Sequence, residues 1–247
     1  MWNAKRIKEY CAENDISVGK YLFISVSSKI EGIKKQLHEK KRDKKIDLIN
    51  QKRLTNKTPS IISINCNGCT IAHDLGLRFN TQFVNLWLYP KDFIKYISNL
   101  DYYNSLPITF VENKEYDHPV GKVGDVYVYF VHYLTNEEAE KKWEERKKRI
   151  DKDNLFVMMT DRGGCTEEDM KAFDALSYKN KVIFTHIPMP EIKSAFYIKG
   201  FENAKCVGRL NDYIDDKSVY KWYDQFDYVE WFNTGEVKRS KIPVIAM

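Results

Sequence analysis

The sequence predicts an α/β domain of three layers, built on a mixed, largely parallel sheet and preceded by a basic N-terminal helical segment. From Pro59 onward, short β-branched segments alternate with helical ones, which is typical of layered α/β proteins. A hydrophobic fraction of 43% in 247 residues is enough for a substantial core. Residues 1–57 contain 15 Lys or Arg against 7 Asp or Glu, whereas the rest is slightly acidic. We therefore expect a basic segment at 1–57 and the α/β domain at 58–247.

The N-terminal segment contains a stretch, residues 30–55, whose pattern predicts a strongly basic helix. Apolar residues recur there at roughly helical spacing, at Ile33, Leu37, Ile46, Ile49 and Leu54. This stripe favours a helix that packs on the domain. A second interpretation is a face that contacts anionic lipid headgroups or a phosphorylated substrate. Nucleic acid is disfavoured, because the stripe lacks interleaved aromatic residues and the domain is slightly acidic.

The sequence of the first half of the domain predicts four strands and two shorter helical stretches. β-branched and aromatic residues indicate the strands, at 60–65, Phe83–Tyr89, Pro107–Val111 and Asp125–Tyr133. The last of these is apolar or aromatic on both sides, so we expect both of its faces to be covered. A short helix or turn is expected at His73–Phe79. Pro90 suits the first position of a helix that extends to Leu100.

The second half continues the alternation. Asn136–Ile150 predicts a helix, because Asn136 can cap it, acidic residues follow the cap and basic residues precede its end. Two more strands are predicted, at Leu155–Thr160 and Lys181–Thr185. Between them, the glycines of Asp161-Arg162-Gly163-Gly164 indicate a turn. Thr166 with Asp169 three residues later approximates a capping box for another helix.

Several predicted strands end in residues that can carry chemistry. If these strands are parallel neighbours, their ends meet in one crevice. The candidate catalytic residues are Cys66 as nucleophile or pocket wall, His132 and His186 as bases, and Asp161 as the residue that orients a histidine. The candidate substrate-binding residues are Asn65, Gly68, Arg162 and Cys165. The alternative interpretation gives these residues structural roles. Cys66 would be a small buried side chain, the histidines would be hydrogen-bonded core residues, and Asp161 and Arg162 would be an ordinary charge pair in a turn.

Cys66-x-x-Cys69 followed by His73 could also indicate zinc or thiol redox chemistry. A structural zinc site needs about four ligands, and the next cysteine is distant, at Cys165. A redox motif belongs at a helix start in a βαβ unit, and the sequence offers no second matching element. We therefore expect no metal site and no tightly bound cofactor.

The ordered motifs of residues 59–235 resemble a bacterial exopolysaccharide-biosynthesis family catalogued as a domain of unknown function, family 1919. The residues that carry the resemblance are Ile61-Ile62-Ser63-x-Asn65-Cys66-x-Gly68, Leu75-Gly76-Leu77-x-x-Asn80, Asp92-Phe93, Asn99-Leu100-x-Tyr102, Pro119-Val120-Gly121, His132-Tyr133, Glu137-Glu138-Ala139, Trp143, Arg146, Arg149-Ile150 and Asp161-x-x-x-Cys165-Thr166-Glu167. The resemblance implies an α/β protein of capsule, exopolysaccharide or O-antigen assembly, often labelled an acetyltransferase. One departure is Cys69, where the family pattern has Gly.

We expect a transferase that acts on a sugar intermediate of a bacterial surface polysaccharide, most directly an O-acyltransferase with acetyl-CoA as a donor. The alternatives are a nucleotide-sugar-dependent glycosyltransferase and a non-catalytic glycan-binding or assembly protein. The expected partner is a carbohydrate or lipid-linked sugar, with peripheral membrane contact through 30–55. Five irregularly spaced cysteines and the absence of a secretory signal or a long apolar run predict a cytoplasmic protein, placed at most peripherally at the inner membrane face. Oligomeric state is left open.

Overall fold

The computed structural model describes Ser17, residues 36–112 and residues 114–241. Its strands in that part of the chain are β1 (Ser60–Ser63), β2 (Ile108–Phe110), β3 (Val120–Val123), β4 (Val126–Tyr129), β5 (Leu155–Thr160), β6 (Asn180–Thr185) and β7 (Ala195–Tyr197). Four of them form a parallel sheet in the order β1-β5-β6-β7. In its register Ile62 faces Val157, and Met158 faces Val182. The predicted α/β class is confirmed.

The remaining strands form a separate antiparallel sheet, in the order β2-β3-β4. The expected single mixed sheet is therefore divided in two, because the antiparallel strands pair only with one another. In β4, Val126 and Val128 are buried whereas Tyr127 is exposed. The prediction that both faces of this strand are covered is wrong at Tyr127, whereas Tyr129 on the same side is partly covered by Trp87.

The α-helices that both begin and end within the described residues are α1 (Leu48–Arg53), α2 (Asn67–Asp74), α3 (Pro90–Ser98), α4 (Leu100–Ser105), α5 (Asn136–Lys147), α6 (Glu167–Asp174) and α7 (Tyr228–Thr234). A 3-10 helix spans Trp222–Gln225. The capping box of α6 forms as predicted, since Thr166 and Asp169 exchange side-chain-to-backbone hydrogen bonds. None of the helices in this part of the chain is long and apolar enough to cross a membrane.

Two cores cover the two faces of the parallel sheet, which makes the domain three-layered. Ile62, Val157 and Ile183 point into a core shared with α3, α5 and the antiparallel sheet. Ile61 and Phe156 point into the other core, which contains the aromatic side chains of α7. Alternation along each strand therefore supplies both layers, as expected for a parallel sheet buried on both sides.

Several predicted boundaries differ from the structure. The helix expected at His73–Phe79 is α2, which starts six residues earlier because Cys66 already has helical dihedrals of −66° and −3°. Phe83–Tyr89 is not a strand. Only Trp87 pairs there, in an isolated bridge with Tyr129.

The basic helix forms, but the predicted apolar stripe does not hold it to the domain. Residues 36–53 are helical throughout, with a π-helical stretch at Asp43–Asp47. Leu37 and Ile49 are 55% and 54% exposed, so their predicted packing is wrong, and only Leu54 of the described stripe is fully buried. Ile33 lies outside the described residues.

The helix is instead held by a buried charged side chain, Arg42, which is 1% exposed. Its guanidinium donates twice to Asp224, at 2.6 and 3.1 Å, and lies 3.1 Å from Asp74 and 3.2 Å from Asp47. Lys221 Nζ donates to Asp74 at 2.8 Å. We call these five residues the Arg42 cluster. It joins the N-terminal helix to residues almost at the other end of the described chain.

Candidate functional site

A cavity of about 390 Å³ lies at the carboxyl ends of the neighbouring parallel strands β1 and β5. This is where open α/β sheets bind ligands, because chain segments diverge there and leave a crevice. Residues just beyond β1 and β5 line one side, and the segment around Trp87 together with His132 lines the other. The cavity thus lies between the parallel and the antiparallel sheets.

The two strand ends are joined across the cavity by the side chain of Asn65. Its Nδ2 donates to Thr160 Oγ1 at 3.2 Å, and its Oδ1 accepts from the Asn67 backbone N–H at 3.1 Å. An amide nitrogen has two N–H groups, so one donor of Asn65 is left for a ligand. The predicted substrate-binding residue therefore lies on the cavity wall with its orientation set by both strands.

The opposite wall comes from the segment that was expected to be a strand. The Leu88 N–H donates to Ile64 O at 3.0 Å, which ties this segment to the end of β1. Trp87 stacks on Tyr129 of β4, with ring centroids 4.5 Å apart. His132 follows β4 in a turn, is exposed and lines the cavity. The antiparallel sheet therefore brings an imidazole to the parallel strand ends.

The cavity is cationic. Arg162 and Arg209 both line it, and none of its described lining residues is acidic. Arg209 lies 3.5 Å from Asp212, with two-thirds of its side chain exposed. Among the described residues Arg162 has no carboxylate within ion-pair distance. Because a partly buried guanidinium without a carboxylate favours an anion, the cavity is suited to a negatively charged ligand.

Cys66 lines the same cavity, with its thiol 3.9 Å from Leu86 O. A hydrogen bond with Cys69, followed by burial, raises the pKa of the Cys66 thiol well above its usual range. The same hydrogen bond lowers the pKa of Cys69 to about 7, against the opposing effect of burial. Of the two thiols, Cys69 is therefore the more acidic.

Asp161 and His186 form a pair beside the cavity rather than in its wall. Asp161 Oδ2 accepts from His186 Nδ1 at 2.5 Å and from the His186 backbone N–H at 2.8 Å. Its Oδ1 accepts from the Val207 N–H at 2.8 Å. The carboxylate therefore fixes the orientation of the His186 imidazole through Nδ1 and makes no contact with Nε2. Of the two predicted histidines, Asp161 contacts His186 and not His132.

The other predicted site residues lie outside the cavity wall. Gly68 is in α2, packed so closely on β1 that an added Cβ would lie 2.7 Å from Ser63 Cβ. Cys165 is half-buried near Asp161 and Asp169, and burial, followed by their charges, raises the pKa of its thiol to about 12. Neither residue is among those that line the cavity.

The lining residues that were not predicted include Trp87, Arg209 and Asn211. Arg209 and Asn211 belong to a long stretch without regular helices or strands, so no periodic pattern marks them. A search for basic residues in the nonperiodic segment that follows β7 could have found Arg209.

The zinc alternative finds no geometric support in the described residues. His73 lies on α2 with 82% of its side chain exposed, and its Nδ1 faces Asp74 at 3.5 Å. No group of three or more His, Cys, Asp or Glu side chains in that part of the chain is arranged to hold a metal ion.

Comparison with known proteins gives two matches. A family model described as "Domain of unknown function (DUF1919)" matches residues 37–233. A protein of Haemophilus influenzae (strain Rd), named "Uncharacterized protein", is 51% identical over 183 residues, which cover 74% of this chain and 88% of that protein. The resemblance seen in the sequence covers residues 59–235, whereas the family match begins earlier, within the basic helix. The matched region therefore includes Arg42 as well as the residues that line the cavity.

Proposed function

The chain belongs to the family described as Domain of unknown function (DUF1919), and we propose that it is a transferase acting on an anionic sugar intermediate of a bacterial surface polysaccharide. The reaction we assign is transfer of an acyl group to a sugar hydroxyl. The observation that supports this proposal is the cationic cavity at the strand ends, with His132 in its wall.

The wall chemistry suits a phosphorylated sugar. The guanidinium groups of Arg162 and Arg209 can bind phosphate oxygens through charge-assisted hydrogen bonds. The amides of Asn65, Asn67 and Asn211 offer donors and acceptors of the kind that sugar hydroxyls require. Trp87 adds an apolar ring surface beside them. A volume of about 390 Å³ lies within the usual range for small-ligand sites.

In the proposed reaction His132 takes the proton of the acceptor hydroxyl. The oxygen then attacks the carbonyl carbon of an acyl thioester such as acetyl-CoA, the new C–O bond forms, and the C–S bond breaks to release the thiol, which takes up the proton. The free N–H of Asn65 is placed to stabilise the negative oxygen of the intermediate. His132 is preferred as base over His186, because only His132 lines the cavity.

The thiol of Cys66 contributes to the wall in this scheme. The hydrogen bond with Cys69 and burial raise the pKa of this thiol, which makes it a weaker nucleophile than an exposed thiol. Asp161 and His186 act indirectly, by ordering the end of β5 next to Arg162. Substitution of Cys66 or His186 should therefore reduce the rate of transfer less than substitution of the catalytic base does.

The test is acyl transfer from acetyl-CoA to a panel of sugar phosphates, followed by mass spectrometry of the acceptor. We expect product with the wild type and a loss of at least 100-fold in rate for His132→Asn. His73→Asn is the matched control, since this exposed histidine lies outside the cavity wall. No acylated product from any acceptor would refute acyl transfer. Full activity of His132→Asn would refute the assigned base.

Glycosyl transfer from a nucleotide-sugar is the second candidate, and the two arginines favour it. Arg162 and Arg209 could neutralise a leaving diphosphate without a metal ion. A thermal-shift screen separates the candidates, because a ligand that binds only the native state raises the melting temperature. A shift with nucleotide-sugars and none with acetyl-CoA would replace the first candidate with the second. A shift with glycans alone would favour a non-catalytic glycan-binding protein.

We also propose peripheral contact of the N-terminal helix with an anionic lipid surface. Leu37, Leu48 and Ile49 are each about half exposed on a helix rich in lysine. Exposed apolar side chains between cationic ones suit the headgroup region of an anionic bilayer. The protein should sediment together with phosphatidylglycerol vesicles, and Leu48→Glu should reduce the fraction of protein that sediments. Equal retention on phosphatidylcholine vesicles would contradict the proposal.

A further inference from the structure

Cys66 and Cys69 are neighbours on one side of the start of α2. Cys66 is the residue before the helix and has helical dihedrals, so the two cysteines are related as helix positions i and i+3. Side chains at that spacing have Cβ atoms about 5–6 Å apart. The Cys69 thiol turns back to donate to Cys66 O at 3.2 Å, and the two thiols hydrogen-bond to each other. A disulfide needs Cβ atoms about 3.5–4.5 Å apart, so the pair must close by about 1–2 Å to form one.

One thiol of the pair is accessible and the other is protected. Cys66 is half-buried and lines the cavity, whereas Cys69 is 8% exposed beneath it. The backbone N–H of Asn85, a residue in the left-handed region with φ of 59°, also faces the Cys69 sulfur. The pair therefore follows a parallel strand, opens a helix and borders a solvent-filled cavity. That is the setting in which a Cys-x-x-Cys pair exchanges with small disulfides.

We propose that Cys66 and Cys69 are a redox-active dithiol that closes to an intramolecular disulfide by exchange with a small disulfide such as glutathione disulfide. Cys66, the accessible thiol, loses its proton, attacks a sulfur of glutathione disulfide, forms a mixed disulfide and releases one glutathione thiolate, which takes up that proton. The second cysteine loses its proton, attacks the mixed disulfide and releases the second glutathione. The protein loses two electrons and two protons, and the glutathione disulfide gains them.

This inference goes beyond the proposed function and does not depend on it. Disulfide formation turns the Cys66 sulfur from Leu86 O toward Cys69, so it changes the cavity wall whichever ligand binds there. A redox Cys-x-x-Cys motif belongs at the start of a helix that follows a strand. The structure places the motif after β1 and at the first turn of α2, which supplies that context.

The experiment equilibrates the folded full chain with glutathione at a series of thiol-to-disulfide ratios. Samples are then quenched with acid, alkylated and mapped by mass spectrometry. In excess glutathione disulfide we expect most wild-type chains to lose two alkylatable thiols and to yield a peptide that joins Cys66 to Cys69. Cys69→Ser should instead retain a mixed disulfide with glutathione on Cys66, because the resolving thiol is gone, whereas Cys66→Ser leaves only the buried Cys69, which should stay reduced.

Cys165→Ser is the matched control, because Cys165 is another half-buried cysteine and lies outside the cavity wall. It should form the same disulfide as the wild type at the same ratio. Circular dichroism confirms that each sample is folded. The proposal is overturned if the wild type keeps both thiols in excess glutathione disulfide, or if both cysteines carry stable mixed disulfides. Because the readout needs no substrate, either result leaves the transferase proposal unaffected.

Discussion

Arg42→Met tests the energetic role of the Arg42 cluster. Wild-type Arg42 makes two hydrogen bonds to Asp224 and lies within 3.2 Å of Asp74 and Asp47. Methionine has similar length and packs in the same channel, so the main loss is the charge. The cluster would change from three carboxylates with two cations to three carboxylates with Lys221 alone.

The expected loss follows from the burial of those carboxylates. Removing one partner of a buried ion pair leaves an uncompensated charge and costs about 3–5 kcal/mol. Arg53→Met is the matched control. Arg53 pairs with Asp227 at 2.7 Å from the same helix, but 46% of its side chain is exposed. An exposed pair contributes about 0–1 kcal/mol, so the two variants should differ by at least 2 kcal/mol.

Urea unfolding followed by tryptophan fluorescence and circular dichroism gives both free energies of unfolding by linear extrapolation. If Arg42→Met does not fold, Arg42→Lys keeps one charge without the two-pronged contact to Asp224 and should fall between the wild type and the methionine variant. Losses below about 1 kcal/mol in both Arg42 variants, with unchanged m values, would refute the reasoning.

Three further predictions concern pH, packing and capping. Burial raises the pKa of Asp47 to about 7, above the unfolded value of about 3.9, so the wild type should gain about 3 kcal/mol relative to Asp47→Asn as pH falls from 7 to 4. An equal difference between the urea midpoints of the two proteins at both pH values would contradict this. Gly68→Ala places a methyl group 2.7 Å from Ser63 Cβ and 2.9 Å from Ile61 Cγ2, so it should destabilise the protein by about 1–3 kcal/mol despite alanine's helix preference, and unchanged thermal unfolding would exclude that clash. Thr166→Ala removes the cap of α6 and should cost about 1 kcal/mol by the same urea assay, with Thr166→Ser restoring most of it.

The sequence predicted the elements whose signals are local. β5 is an apolar run buried at all six positions, and the capping box of α6 is a short-range pattern, so both were found close to their observed bounds. The start of α2 was missed because Asn65-Cys66-Asn67-Gly68 has turn-like composition, whereas packing of Gly68 on β1 draws the helix back to Asn67. Tertiary contact overrode local preference there.

The site residues that lie at strand ends were predicted from the sequence. Those that lie in segments without regular helices or strands were missed. Asn65, Cys66 and Arg162 follow β1 and β5 directly, and the parallel arrangement brings them together. Arg209 comes from a stretch with no periodic pattern. Arg42 was equally hidden, because its burial depends on Asp224, which lies 182 residues away, and no local pattern distinguishes it from a solvated lysine.

That separation also has a consequence for the order in which the nascent chain becomes structured. A ribosome adding roughly 5–20 residues per second needs about 10–35 s to progress from Arg42 to Asp224. The strands of the parallel sheet from β1 to β7 are all synthesised within that interval, whereas the Asp224 carboxylate that receives the basic helix is made only at its end. Docking of the first described helix is therefore among the last folding steps. A transcript truncated before Asp224 would release a chain whose cationic helix is free to bind other anionic surfaces in the cell.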